Sequence, residues 1–144
     1  MMAPYRIICV GNRIMPGDGA GPEVYDELSK RALPDEVELV DGGLSGLEMI
    51  RFIPGAERVV FVDAIDGLGE GDDLIVLDRE SVAIAASDHY GHSAGLPYLM
   101  RVLPEVLEDG LPEILVLGVN PRTNGKMIAR AADRCLSLAL EGLR

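Results

Sequence analysis

A glycine-rich loop between an apolar run and an amphipathic segment is the feature that most constrains the fold of this chain. The run Tyr5–Val10 is short and rich in β-branched residues, so it predicts a buried strand. The loop at 11–21 contains four glycines, which let the backbone approach a neighbour closely, and one acidic side chain, Asp18. Pro22 follows and suits the first position of a helix. The segment therefore predicts a strand, a tight loop and a helix.

The rest of the chain alternates in the same way. Apolar runs predict further strands at 37–41, 59–64, 74–78 and 114–119. Helices are predicted at 22–32, at 44–52, from about 93 to 107, and at 125–143. Residues 79–92 are predicted to be irregular, and Pro104 is predicted to kink or divide its helix.

These elements predict a three-layer α/β/α sandwich built as one domain over residues 1–144. The third strand shows no polar alternation, which is typical of a central strand, and the first strand is its expected neighbour. The turn at 67–73 is too short for a crossover helix. The five-stranded sheet is therefore predicted to be mostly parallel, with strand four antiparallel at an edge.

Charge and composition limit the partners and the compartment. The net charge of −11 disfavours binding to nucleic acid and to anionic membrane surfaces, and no apolar stretch is long enough to span a bilayer. Cys9 and Cys135 fall on apolar faces, which predicts two small buried side chains in a reducing compartment. The first strand begins almost at once, without a signal peptide before it. These features predict a cytoplasmic protein.

Three polar side chains are predicted to meet where parallel strands end. Asp18 follows strand one, Asp63 ends strand three, and His92 precedes the helix predicted from about 93. Two carboxylates and one imidazole suit a divalent transition metal with open coordination positions. Each residue also has a simpler role open to it, because Asp18 can bond its own loop, Asp63 can cap the next turn, and a loop histidine can be solvated.

A nucleotide-binding alternative uses the same loop. Gly17, Gly19 and Gly21 precede a helix, and Asp41 ends strand two where a Rossmann-like domain places its ribose-binding acid. Against this alternative, the glycine spacing departs from G-x-G-x-x-G, and Asp18 would repel a pyrophosphate. No residue is a candidate for nucleophilic catalysis of the usual kinds.

Several motifs together resemble a known family. The pattern G-N-x(5)-D-G-x-G in the loop at 11–21 is similar to that of the maturation endopeptidases of nickel–iron hydrogenases. Further matching segments follow in the expected order at 41–46, 62–64, 92–96 and 118–121. The resemblance therefore covers nearly the whole chain.

The resemblance implies an activity and a set of site residues. Enzymes of this family remove the C-terminal peptide of the hydrogenase large-subunit precursor after nickel insertion, and their metal-contacting residues map onto Asp18, Asp63 and His92. It further implies a phosphorylase/hydrolase-like fold with strand four antiparallel. The nickel is expected to come with the substrate and to serve as the recognition element, while Zn or Cd can occupy the same site. The position before the loop acid is often acidic in the family and is Gly17 here. The general base is left unassigned.

Overall fold

Five strands form one mixed sheet. The computed structural model describes residues 3–15, 17–44, 47–65, 73–84, 95–108, 110–122 and 124–143. The strands are β1 (Tyr5–Val10), β2 (Val37–Gly43), β3 (Arg58–Ala64), β4 (Leu74–Asp78) and β5 (Glu113–Val119). Their spatial order is β2-β1-β3-β5-β4, and only the β4–β5 pair is antiparallel. The predicted mostly parallel sheet, the pairing of strands one and three, and the antiparallel edge strand are all confirmed.

Helices cover both faces of the sheet. They are α1 (Ala20–Ser29), α2 (Arg79–Ile84), α3 (Gly95–Val106), α4 (Gly125–Glu141) and a 3₁₀-helix (Leu47–Phe52). Helices α1 and α4 pack on one face, and the 3₁₀-helix, α2 and α3 pack on the other. Cys9 and Cys135 are both free and buried on the α1/α4 face, as predicted. Among the described residues, no helix is long and apolar enough to cross a membrane.

The first helix differs from the prediction at both ends. It begins at Ala20 rather than Pro22, because Gly19 takes the N-cap position and accepts from the Glu23 N–H at 3.0 Å. Pro22 therefore lies at the third helical position, where a missing N–H also leaves no intrahelical bond unmade. The helix ends at Ser29 rather than Ala32. After it, the Arg31 N–H donates to the carbonyl three residues earlier, that of Leu28, at 3.0 Å.

The prediction that residues 79–92 are irregular is wrong for 79–84, which form α2. The Ser81 N–H donates to Oδ1 of Asp78 at 2.7 Å, so the last residue of β4 also caps this helix. Val82 and Ala83 bury the inner side of α2 in the core. Residues 85–92 lie outside the described residues.

Helix α3 continues through Pro104, which does not divide it. Proline has no N–H for the carbonyl four residues earlier, that of Met100. The Arg79 guanidinium replaces that donor, since its Nη1 lies 2.6 Å from the Met100 oxygen. The side chain at the start of α2 thus satisfies a carbonyl that Pro104 leaves without its helical partner.

A buried arginine fixes the segment after β2. Arg6 is 3% exposed, and its Nη1 donates to the carbonyls of Phe52 and Pro54, each at 2.8 Å. Burial lowers the pKa of Arg6, and nearby Glu38 opposes this effect. The predicted helix at 44–52 is observed as a 3₁₀-helix that starts at Leu47, while residues 45 and 46 lie outside the described residues.

Helix α4 begins where the sequence predicts and ends slightly earlier. Oδ1 of Asn124 accepts from the Met127 N–H at 3.0 Å and caps the amino end. The helix stops at Glu141 rather than Leu143, because Gly142 adopts a φ of 75°. Small residues let α4 lie close to the sheet: Ala131, Ala132, Cys135 and Ala139 are all fully buried.

Candidate functional site

The carboxyl ends of the parallel strands define one edge of the sheet, here called the carboxyl edge. In the register of β1 and β3, Cys9 lies opposite Val62. The loop after Val10 and the side chain of Asp63 therefore belong to this same edge. Two of the three predicted metal-binding residues, Asp18 and Asp63, are brought together there.

The loop at 11–19 is held by close backbone packing at its start. Gly11 has a φ of 150°, and a Cβ on it would overlap the Asp18 carbonyl and lie 2.8 Å from Cδ of Pro22. Its N–H donates to the Gly43 carbonyl at 2.9 Å, which ties the loop to the end of β2. Glycine at this position is therefore required by both the backbone angle and the space.

Asn12 organises the middle of the loop. Its Oδ1 accepts from the Ile14 N–H at 2.9 Å, and its own N–H donates to Oδ2 of Asp18 at 3.0 Å. The predicted local role of Asp18, a bond within its own loop, is thus observed. Among the described residues, Oδ1 of Asp18 accepts no hydrogen bond, so half of this part-buried carboxylate is left for another partner.

Asp63 is a buried carboxylate with little compensation. It is 7% exposed, and the Ala64 N–H donates to its Oδ1 at 2.9 Å. Burial raises the pKa of Asp63 well above its usual range, and the negative charge of Asp18 raises this pKa further. The Ala64 N–H acts in the opposite direction. The two carboxyl groups therefore repel each other when both are ionised.

This arrangement favours a cation. A positive ion between Asp18 and Asp63 would remove their repulsion and let the buried group ionise. Carboxylate oxygens are ligands for divalent metals, so the donor chemistry fits the predicted site. Asp18 and Asp63 are two candidate ligands, and in the described part of the chain no group of three or more metal-binding side chains occurs.

His92, the third predicted ligand, lies outside the described residues. Helix α3 is described from Gly95 onward. The assignment of His92 to the metal site therefore stays a prediction.

Arg13 supports the loop in a way that the sequence did not predict. Its guanidinium forms a two-point ion pair with Asp26 of α1, at 2.7 and 2.9 Å, and lies 4.0 Å from Asp41. The Asx turn at Asn12 was also missed, although an asparagine next to a glycine just after a strand is a recognisable turn signal. Both residues hold the loop that carries Asp18.

Asp41, the acid of the nucleotide-binding alternative, has another role. Its Oδ1 accepts from the Gly43 N–H at 3.1 Å, and its Oδ2 faces Arg13. Asp41 thus stabilises the end of β2 and its contact with the loop after β1.

Comparison with known proteins identifies the family. The sequence model of the hydrogenase maturation protease family HycI matches residues 22–135. The chain belongs to the hydrogenase maturation protease family. The matched range contains Asp63 and His92 and begins just after the loop that carries Asp18. The nucleotide-binding alternative is not favoured by this membership.

Individual members are similar over shorter stretches. The hydrogenase expression/formation protein HupD of Bradyrhizobium diazoefficiens is 36% identical over 76 residues, which cover 51% of this chain and 40% of the relative. The hydrogenase 2 maturation protease of Escherichia coli is 28% identical over 100 residues, which cover 67% of this chain and 61% of the relative. The chain thus spans about two fifths to three fifths of the length of these curated relatives.

A solved structure from the family shares the fold. The hydrogenase maturating endopeptidase HybD from E. coli superposes with a TM-score of 0.73, covering 98% of this chain and 93% of that chain. The two sequences are 21% identical, so this likeness supports the fold and gives no information on the reaction.

Proposed function

We propose that this maturation protease family member is an endopeptidase that removes the C-terminal peptide of a nickel–iron hydrogenase large-subunit precursor after nickel insertion. Family membership supports the class of activity. The observation that carries the proposal is the pair Asp18 and Asp63, in which a buried carboxyl group lies beside a second one at the carboxyl edge. Such a pair suits a cation that arrives with the substrate.

The nickel of the precursor is proposed as the recognition element. Asp18 offers an oxygen that accepts no hydrogen bond from the described residues, Asp63 offers a carboxylate that a cation would stabilise, and His92 is the proposed nitrogen ligand. These groups leave coordination positions that the precursor's own ligands can fill. Zn²⁺ or Cd²⁺ is expected to occupy the same position when supplied in solution.

A bridging ion would also control cleavage. A precursor without nickel lacks the anchor that orients its C-terminal region against the enzyme, so the scissile bond is not positioned. The proposed role of Asp18, Asp63 and His92 is therefore binding and orientation. The general base that activates water is left unassigned.

The proposed compartment is the cytoplasm. Cys9 and Cys135 are free and share one buried cluster without forming a disulfide, which suits a reducing environment. The proposed partner is the C-terminal region of the precursor, and the net charge of −11 disfavours nucleic acid as a partner.

The test compares nickel-loaded and nickel-free precursor with the purified protein. Each form of the precursor is incubated with and without a chelator that is too weak to remove nickel from the loaded form, and cleavage is followed on a gel. We expect cleavage of the loaded precursor alone, and we expect the chelator to leave it unchanged. Comparable cleavage of nickel-free precursor in the chelator would show that nickel does not license the reaction. No cleavage of either form would reject the endopeptidase proposal.

A further inference from the structure

The loop that carries Asp18 also presents large apolar side chains to solvent. Ile14 is 90% exposed and Met15 is 54% exposed, while Leu44, just after β2, is 67% exposed. Single exposed apolar residues are common on protein surfaces, but adjacent ones beside a candidate site indicate a surface that binds another molecule.

Ile14 and Met15 lie in a hydrogen-bonded turn, and this turn keeps their side chains exposed. The Ile14 N–H donates to Oδ1 of Asn12, and the Met15 carbonyl accepts from the Asp18 N–H at 3.1 Å. These bonds fix the backbone on both sides of the two side chains. The loop therefore holds them outward in a set relation to Asp18, and a partner would not have to order it first.

The loops after β1 and β2 are joined at the same edge. The Gly11 N–H donates to the Gly43 carbonyl at 2.9 Å, and Arg13 lies 4.0 Å from Asp41. Leu44 follows Gly43 directly in the sequence. The three exposed side chains thus belong to two connected loops beside the predicted metal site.

The charges around Ile14, Met15 and Leu44 indicate which kind of polypeptide segment binds there. Arg13 brings one positive charge, whereas Asp18, Asp26 and Asp41 are acidic, so the charge beside these side chains is negative on balance. A segment that brings carboxylates would be repelled from such a surface, whereas an apolar segment without acidic residues would be accepted.

We propose that Ile14, Met15 and Leu44 form the docking surface for an apolar segment of the hydrogenase large-subunit precursor that lacks acidic side chains. The inference rests on the proposed function, since it names the part of the precursor that contacts the protein beside the nickel. Burial of these side chains contributes to binding before and during cleavage alike, so it acts on KM rather than on kcat.

The experiment measures KM and kcat for nickel-loaded precursor with Ile14→Ser and Met15→Ser. We expect KM to rise about tenfold for each variant, equivalent to about 1.4 kcal/mol of lost binding, with kcat within about twofold of the wild type. The dissociation constant of the precursor is measured in parallel by calorimetry and should rise by the same factor. The melting temperatures should stay close to the wild type, because exposed substitutions change stability by about 0.5 kcal/mol or less.

Leu143→Ser is the matched control. Leu143 is 56% exposed, but it follows Gly142, where an added Cβ would lie 3.0 Å from the guanidinium of Arg58 at the start of β3. Leu143 therefore lies at the opposite edge of the sheet, and the KM of Leu143→Ser should equal that of the wild type.

The outcomes separate the two proposals. If KM and the dissociation constant of Ile14→Ser and Met15→Ser match those of Leu143→Ser, the docking surface is rejected while the endopeptidase proposal stands. If the wild type binds the precursor without cutting it, the endopeptidase proposal is rejected instead, and the dissociation constants still decide the docking surface. A wild type that dimerises through these residues, and becomes monomeric in both variants, would assign the surface to a second copy and overturn the inference.

Discussion

Replacement of Gly21 by alanine tests how the loop, the first strand and the first helix are packed together. Gly21 is buried in the first turn of α1, directly against the end of β1. A Cβ on Gly21 would overlap the carbonyl oxygen of Val10 and lie only 2.8 and 2.9 Å from the Val10 carbonyl carbon and nitrogen. All three atoms are backbone, so no side chain can rotate away, and α1 must move off the strand.

The loss of stability in Gly21→Ala depends on which of the neighbouring atoms can move. Overpacking against movable side chains costs about 1–3 kcal/mol, and Val10 is held in a strand that is covered on both faces. We therefore expect Gly21→Ala to lower the free energy of unfolding by at least about 3 kcal/mol. For a domain of this length, that loss corresponds to a melting temperature lower by roughly 10 °C.

Gly125→Ala is the matched control, and thermal unfolding followed by circular dichroism is the assay. Gly125 also lies in the first turn of a helix, but a Cβ there would meet nothing within 4 Å. Its stability should stay within about 1 kcal/mol of the wild type, because alanine favours a helix over glycine by up to that amount. If Gly21→Ala melted within about 3 °C of Gly125→Ala, the close approach of α1 to Val10 would not be the constraint described above.

Three further predictions concern the site and its supports. Asp18→Ala and His92→Ala should each abolish processing of the precursor while the melting temperature stays close to the wild type, and full cleavage by either variant would remove that residue from the site. Asp63→Asn should also abolish processing but should stabilise the protein at neutral pH, since burial raises the pKa of Asp63 and its ionisation in the folded state is unfavourable. A raised pKa means that the stability associated with this carboxyl group is present below its ordinary pKa and is lost as the pH rises through the folded-state value. The gain in melting temperature over the wild type should therefore shrink at acid pH, and an equal gain at all pH values would contradict the assignment. Arg79→Met should cost about 1–3 kcal/mol, because it leaves the buried carbonyl of Met100 without a donor, and chemical denaturation measures this loss. Arg101→Met, which removes a longer bond of 3.4 Å to the Ala83 carbonyl, is the comparison and should cost less.

The strands were the part of the fold most open to prediction. The run Val59–Val62 is apolar throughout, and such a run has few alternatives to a strand buried on both faces. The short turn before Leu74 was enough to predict an antiparallel edge strand, and the sheet confirms it. In both cases a local pattern of the sequence determines the outcome.

The helices were less predictable because they depend on distant contacts. The effect of Pro104 is offset by Arg79, which lies 25 positions earlier in the sequence and cannot be linked to it by any local pattern. The short helix α2 was missed although Asp78 supplies an ordinary cap signal, because its six residues are too few to show a helical period.

The placement of Asp18 and Asp63 at one edge of the sheet was predictable, and the electrostatics of Asp63 were less so. The rule that ligands gather where parallel strands end was enough to bring Asp18 and Asp63 together. The opposing effects on Asp63 depend on its burial, on the charge of Asp18 and on the Ala64 N–H, and these appear only in three dimensions. The assignment of His92 stays a prediction from sequence.

The strand order has a consequence for synthesis on the ribosome. Strands β1, β2 and β3 can pair once Ala64 has emerged from the ribosome, but β5 is inserted between β3 and β4 and ends at Val119. The outer edge of β3 therefore stays without its partner for roughly 55 further residues, or on the order of 3–11 s of translation. During that interval the nascent chain exposes an unpaired apolar strand edge, at which another chain can pair with β3.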